Sequence, residues 1–243
     1  MNKSKVKSKF NDLKPINFYE EMDKKFLPKK LNPHYESHHI QLPFRMVIAG
    51  GTGSMKTNTA FNIIFYMPDT FHKIVVITKN KDEPLYNYIS DKIKTIEIYE
   101  GLENAPNLDK DFKKDENSLV IFDDLCLDKK QNDVEQYAIR CRKLGVSMMY
   151  LTQSWFKTPD TLRKNLSHII LKKIGKLDEL TRLLKDYSIG IDKKEMIEKY
   201  KFAIQPDDKN DKKDKTHYFL IDVDADDEYK FRRDLIPIDY YKQ

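Results

Sequence analysis

The chain has 243 residues, 40% of them hydrophobic and 12% aromatic, enough to bury the core of one α/β domain. Charged residues reach 34%, yet the formal net charge is only +5, a total too small to identify a nucleic-acid binder by itself. Cys126 and Cys141 lack metal or CxxC spacing, the basic N-terminus lacks the apolar core of a secretory signal, and no stretch approaches the roughly 20 apolar residues of a membrane span. The expectation is a soluble, intracellular protein with reduced cysteines and no membrane insertion.

In chain order, residues 1–40 hold Pro15, Pro28 and Pro33, with four lysines and no acid in the first ten residues, and read as a basic N-terminal arm. His34, His38 and His39 lack the cysteine partners of a zinc set and read as a surface cluster. From residue 44 short apolar runs alternate with amphipathic stretches. The runs Phe44–Ala49, Lys73–Thr78, Leu119–Phe122, Val146–Leu151 and His168–Leu171, with a weaker one at Thr95–Tyr99, have the near-continuous apolarity of strands covered on both faces. Helices are predicted over Thr57–Met67 and after Asp128, where Val134, Tyr137, Ala138 and Cys141 repeat at helical spacing before Gly145. Two more follow at Leu177–Tyr187 and Lys193–Tyr200. The exposed charged loop 207–215 would separate Lys201–Ile204 from Thr216–Val223, two segments expected to pair as an antiparallel hairpin at a sheet edge. This alternation predicts a doubly wound α/β sandwich, domain 41–223, with a tail at 224–243.

The segment Gly50-Gly51-Thr52-Gly53-Ser54-Met55-Lys56-Thr57 stands between a buried strand and a helix and holds three of the chain's seven glycines. Such a loop curls its backbone amides around phosphate oxygens; its lysine reaches the β- and γ-phosphates and its threonine hydroxyl ligates Mg²⁺. Met55 stands where the pattern has glycine. Downstream, Leu119-Val120-Ile121-Phe122-Asp123-Asp124 is an apolar strand ending in two acids, which a parallel sheet would bring beside the phosphate loop. Asp123 would hold Mg²⁺ and Asp124 would orient and deprotonate the attacking water. The strand ending in Thr152-Gln153 adds an amide at the same edge, and Arg142, preceding that strand, is a candidate arginine finger for a neighbouring subunit. Trp155 is expected to pack beneath the nucleotide-site loop or to line a central pore, and Lys172, Lys173 and Lys176 to face DNA or plain solvent.

Taken together, GGTGSMKT, LVIFDD, RKLGVSMMYLTQ and LRKNLSHIIL resemble the FtsK–HerA branch of P-loop ATPases. Within that branch they are most similar to the genome-packaging ATPases of poxviruses, giant DNA viruses, virophages and related elements, over roughly residues 44–172. The resemblance implies a RecA-like sandwich, ATP and Mg²⁺ as ligands, a homo-oligomeric ring, and translocation of double-stranded DNA without sequence readout into a preformed capsid. It also implies a capsid or portal-vertex partner and a place in host cytoplasm where virions assemble. It assigns Lys56 and Thr57 to the phosphate-loop pair, Asp123 and Asp124 to the acidic pair, Gln153 to the strand-end glutamine and Arg142 to the trans-acting arginine. Arg140 and Arg163 are alternatives for that arginine, and Asn165 accompanies Arg163. Many members carry glutamate as the second acid, so Asp124 reaches toward water by one methylene less. Two other readings stand beside this one: a cellular or plasmid HerA/FtsK-like translocase, and a nucleotide-binding assembly protein with weak turnover. A small-molecule kinase would need an arginine-bearing lid and an acceptor pocket, and neither is recognisable.

Overall fold

Alternate residues of each apolar run leave the backbone on opposite sides, and both sides find a cover. The structure, a computed structural model, describes residues 17–23, 31–125, 131–187, 191–208, 210–211 and 213–242. The chain falls into two units, Met1–Lys30 and Leu31–Gln243. In the first, the described residues form one helical turn, α1 (Phe18–Glu21), where Asn17 Nδ2 donates to Glu20 Oε1 at 2.8 Å.

The second unit begins with α2 (Tyr35–His38) and β1 (Arg45–Ala49), followed by α3 (Lys56–Phe65), β2 (Lys73–Thr78), α4 (Pro84–Lys92), β3 (Ile96–Glu100) and β4 (Ser118–Asp123). It continues through α5 (Gln131–Arg140), β5 (Val146–Thr152), α6 (Asp160–Arg163), β6 (His168–Leu171), α7 (Leu177–Tyr187) and α8 (Lys193–Ala203). It closes with β7 (Phe219–Asp222), α9 (Asp227–Lys230), β8 (Phe231–Arg233) and β9 (Ile236–Pro237). Among the described residues these strands form one sheet in the order β3-β2-β4-β5-β1-β6-β7-β8-β9. The pairs from β3 through β6 are parallel, and those from β6 through β9 are antiparallel.

On one face Met46, Ile48, Leu119, Ile121, Met149 and Leu151 pack with Ala60, Ile63 and Ile64 of α3 and Tyr86 of α4. On the other, Val47, Val120, Phe122, Met148 and Tyr150 pack with Val134, Tyr137 and Ala138 of α5 and with α7 and α8. Burial on both sides explains the lack of polar alternation in the central strands. The edges are blunted: β3 exposes Glu97 and Glu100, and β9 is two residues long with a proline. Gly145 ends the helical turn after α5 at φ 71°, a left-handed position that glycine occupies without strain. Among the described residues no helix is long and apolar enough to cross a membrane.

Four expectations are corrected. Lys201–Ala203 do not form a hairpin strand: Met196, Tyr200 and Ala203 extend a buried helical stripe, so α8 runs past Tyr200. The antiparallel partners of β7 are instead β6 and β8. Residues 224–243 are no tail, because Phe231 and Ile238 are buried and β8 and β9 complete the sheet. The reading of 1–40 as an arm ends too late, since Ile40 is fully buried in the second unit; residues 1–16, with most of the basic run, lie outside the described residues. The histidines are not all on the surface either. His38 is buried, its Nδ1 accepts from the Ile40 amide at 3.0 Å, and burial pulls its pKa down. Cys126 lies outside the described residues, while Cys141 is free and buried.

The C-terminal strands were hidden from hydropathy by two arginines that are buried with partners. Arg232, fully buried, donates to Asp222 Oδ2 at 2.7 Å and to the His38 and His39 carbonyls at 3.0 Å. Arg233 donates to the Phe202 carbonyl at 2.7 Å and to Asp207 at 2.6 Å. Burial alone would raise the Asp222 carboxyl, but the hydrogen bond and charge of His168 and the charge of Arg232 outweigh it and hold the group below its ordinary value. The contribution to stability is therefore complete above the ordinary carboxylate range and is lost as pH falls through the depressed value. Asp222→Ala, which leaves Arg232 without its counter-charge, is expected to cost about 3 kcal/mol in urea unfolding at neutral pH.

Candidate nucleotide site

β1 brings the chain to Gly50 at the carboxyl edge of the sheet, and α3 carries it away from Lys56. The Gly50 amide donates to the Thr152 carbonyl at 3.1 Å, fastening the loop to the neighbouring strand. A Cβ on Gly50 would lie 2.6 Å from the Lys172 Cβ and 2.7 Å from Ser54 Oγ, so close packing requires glycine there. Lys56 is 7% exposed and lies along the loop, its Nζ donating to the Gly51 carbonyl at 3.4 Å. Met55 adopts φ 65° and ψ 35°, which gives the physical reason for glycine in the usual pattern: a side chain in left-handed backbone costs about 1–2 kcal/mol.

The two acids sit across β5 from this loop, and the loop reaches both. Thr57 Oγ1 donates to Asp123 Oδ2 at 2.6 Å. Tyr86, 1% exposed at the start of α4, donates its hydroxyl to the same oxygen at 2.6 Å. Burial raises the Asp123 carboxyl above its ordinary value, and the Thr57 and Tyr86 hydrogen bonds oppose that rise. Burial, and then the charge and hydrogen bond of Asp123, push the Tyr86 phenol strongly upward, so it stays a proton donor. Gln153 Nε2 donates to both Asp124 oxygens at 3.2 and 3.3 Å, while its Oε1 accepts from Thr52 Oγ1 at 3.1 Å. One amide thus links the phosphate loop to the second acid. The turn carrying that amide is held by Glu179 of α7, which accepts from Ser154 Oγ at 3.2 Å and the Trp155 amide at 3.0 Å. Trp155 is buried beneath this turn, edge-on to Tyr187 at 5.7 Å. Glu83, just before α4, is raised by partial burial first and then by the charges of Asp123 and Asp124.

The structure therefore brings together Gly50, Gly51, Thr52, Gly53, Ser54, Met55, Lys56, Thr57, Asp123, Asp124 and Gln153. It does not bring Arg142 to them. Arg142 is exposed at the opposite end of β5, and seven residues at about 3.3 Å each put it roughly 20 Å away along the strand. Arg140 pairs with Asp109 at 2.5 Å, Arg163 with Asp160 at 3.3 Å, and Asn165 donates to the Thr161 carbonyl at 2.7 Å, all outside the loop and acids. Lys172 faces neither DNA nor solvent: it is 1% exposed and buried behind the phosphate loop, whereas Lys173 and Lys176 are exposed. Tyr86, Glu83 and Glu179 escaped the sequence reading. Tyr86 and Glu179 sit in the first turn of helices that follow parallel strands, a position that faces the carboxyl edge, and Pro84 marked one such start.

The residues suit a nucleoside triphosphate with Mg²⁺. Ser54 Oγ is buried with no partner among the described residues, and Asp123 and Thr57 present oxygens 2.6 Å apart. Among the described residues no cluster of three or more acidic, histidine or cysteine side chains forms a metal cage. Mg²⁺ needs none, because one or two protein oxygens usually suffice alongside phosphate and water.

A phosphate loop on β1, an acidic pair on β4 and one strand between them define a P-loop NTPase fold. The chain belongs to the poxvirus A32 protein family, whose sequence model matches residues 33–222. It is 30% identical over 148 residues to DNA packaging protein OPG160 of Vaccinia virus (strain Copenhagen), covering 53% of each chain. To the protein of that name from Variola virus it is 28% identical over 143 residues, again 53% of each. The chain thus spans about half the length of the curated relatives it matches. Among solved structures, it is similar to the genome packaging NTPase B204 from Sulfolobus turreted icosahedral virus 2 in complex with sulfate. The TM-score is 0.54 at 13% identity, over 79% of this chain and 96% of that one.

Two substitutions test this geometry. Met55→Gly is expected to leave stability unchanged or raise it by up to about 1 kcal/mol, whereas β-branched Met55→Val lowers it by about 1 kcal/mol or more. Chemical denaturation of both variants reads the opposed signs. Tyr86→Phe removes one donor from a buried carboxylate and should cost about 1–2 kcal/mol by the same assay.

Proposed function

We propose that this chain is the ATP-hydrolysing subunit of a motor that drives double-stranded DNA into a preformed viral capsid. The contact that carries the reading is Thr57 Oγ1 on Asp123 Oδ2 at 2.6 Å, the pairing expected of two groups that share one magnesium ion. The names of the relatives, DNA packaging proteins, and of the structural neighbour, a genome packaging NTPase, support the same class of work.

In this reading the loop Gly50–Thr57 holds the phosphates, with Lys56 on the β- and γ-oxygens. Bound Mg²⁺, held by Thr57 and Asp123, supplies charge neutralisation across the phosphates. Asp124 accepts the proton of the attacking water. Gln153, already bonded to both Asp124 oxygens and to Thr52, orients that water and senses the terminal phosphate. Hydrolysis would thereby reach the strand end that Glu179 ties to α7. Arg142, too far to serve its own site, serves a neighbour's in a homo-oligomeric ring, a role worth on the order of 10³–10⁵ in rate elsewhere. DNA is gripped through its phosphates without sequence readout, and the motor docks at a capsid or portal vertex in host cytoplasm.

A second reading, a nucleotide-binding assembly protein with slow turnover, is favoured by Met55 in a strained position within the loop. DNA-stimulated phosphate release separates the two. The motor reading expects double-stranded DNA to raise turnover, Lys56→Ala and Arg142→Ala to abolish it singly, and a mixture of the two variants to regain part of it. Mixing restores function because an intact site in one subunit meets an intact arginine from the other. Full activity in Arg142→Ala alone would contradict the finger assignment, and absence of any DNA effect would favour the assembly protein.

A further inference from the structure

On the β6 side of the phosphate loop lies a cavity of about 400 Å³ whose wall includes Ser54, Lys172, Lys173, Lys201, Asp214 and Lys215. Its Lys172 and Lys173 follow β6, which β1 separates from β5 and β4 in the sheet. Four of these six side chains are cationic, and among the described residues none of the four is ion-paired with a carboxylate. The one acid is engaged already: Asp214 accepts from the Thr216 amide and hydroxyl at 2.9 and 2.6 Å and approaches His217 at 3.6 Å.

Three features of the wall point to an anionic occupant. Lys172, fully enclosed, donates to the Thr216 and His217 carbonyls at 2.7 and 3.0 Å, which orient a positive charge without neutralising it. Its burial lowers the pKa to about 8 even though the charges of Asp234 and Asp214 oppose the fall, so a further anion would favour the charged form. Ser54, 6% exposed, has a hydroxyl with no partner among the described residues. Lys215, exposed on the charged loop, reaches across the cavity to donate to the Gly53 carbonyl at 3.2 Å. That loop is fastened at its base by Arg233 on Asp207 and by His217 on Asp234, at 2.6 and 2.7 Å. A triphosphate whose metal-bound end lies over Asp123 would extend its other end along the loop toward this cavity.

We propose that Lys215 is a nucleotide-binding residue: with the nucleoside side of the triphosphate leading along this cavity, it exchanges the Gly53 carbonyl for an oxygen of the α-phosphate. This rests on the nucleotide reading of the loop and gives one described residue of the charged loop, Lys215, a part in the site. Calorimetric titration of the full chain with MgATP and with MgADP, for wild type, Lys215→Ala and Lys215→Arg, tests it. Lys215→Ala should weaken both nucleotides by the same factor, about tenfold for one charge-assisted hydrogen bond, with the unfolding temperature unchanged. Lys215→Arg should stay within about threefold of wild type, since the contact needs a charge more than a shape. A loss confined to ATP would put Lys215 at the terminal phosphate and overturn the proposal, and so would unchanged affinity for both nucleotides. A wild type that binds neither would instead remove the nucleotide reading on which the proposal stands.

Discussion

The carboxyl edge of a parallel sheet is where backbone direction, helix starts and short polar side chains coincide, and this protein uses one junction along it. Thr57 lies in the first turn of the helix after β1, Asp123 ends β4, and their oxygens meet at 2.6 Å with β5 running between the two strands. That meeting needs a register in which Ala49 pairs with Thr152 and Asp123 with Leu151, so the three strand ends lie almost level. The two faces of apolar packing hold that register, since a slip of one residue would turn every inward side chain to the wrong cover. The hydrogen bond from Tyr86 and the link from Thr52 through Gln153 to Asp124 then fix the side chains that the register brings near.

The burial of Asp123 sets a chemical bias as well as a position. A carboxylate removed from water is raised in pKa, and two hydroxyl donors offset the rise only in part. A cation placed beside such a group would relieve the cost of its burial. The same economy recurs elsewhere in the fold. Arg232 and Arg233 are buried with carboxylates directly bonded to them, while Lys172 donates to two carbonyls, lies over the Tyr218 ring and feels Asp234 and Asp214 only at a distance. The first arrangement cements the C-terminal strands to the sheet. The second leaves charge available next to the phosphate loop.

Most of the architecture was legible in the sequence because the central strands are covered on both faces and announce themselves as continuous apolar runs. The bounds of β2 and β6 and the whole of α7 follow from hydropathy alone. The C-terminal strands did not, because Phe-Arg-Arg reads as a charged tail until Asp222 and Asp207 are seen to neutralise it. Motif spacing gave the phosphate loop, both acids and Gln153, since their residue types and order match the pattern expected of a strand-loop-helix and an acidic strand end. Tyr86, Glu179 and Lys215 belong to no such pattern. Their parts depend on which helix starts and loops lie against the edge, and only the sheet order supplies that.

The proposed motor requires Thr57 and Asp123 to share a magnesium ion carried on a nucleotide. The most direct measurement of that sharing is the affinity for ATP with Mg²⁺ and with excess chelator, compared between the wild type and Asp123→Ala. Binding by the wild type should tighten when Mg²⁺ is present, and the variant should lose that gain while still binding the metal-free nucleotide. If the wild type binds ATP equally well with and without the metal, or if Asp123→Ala keeps the full Mg²⁺ effect, the two oxygens meet for structural reasons only.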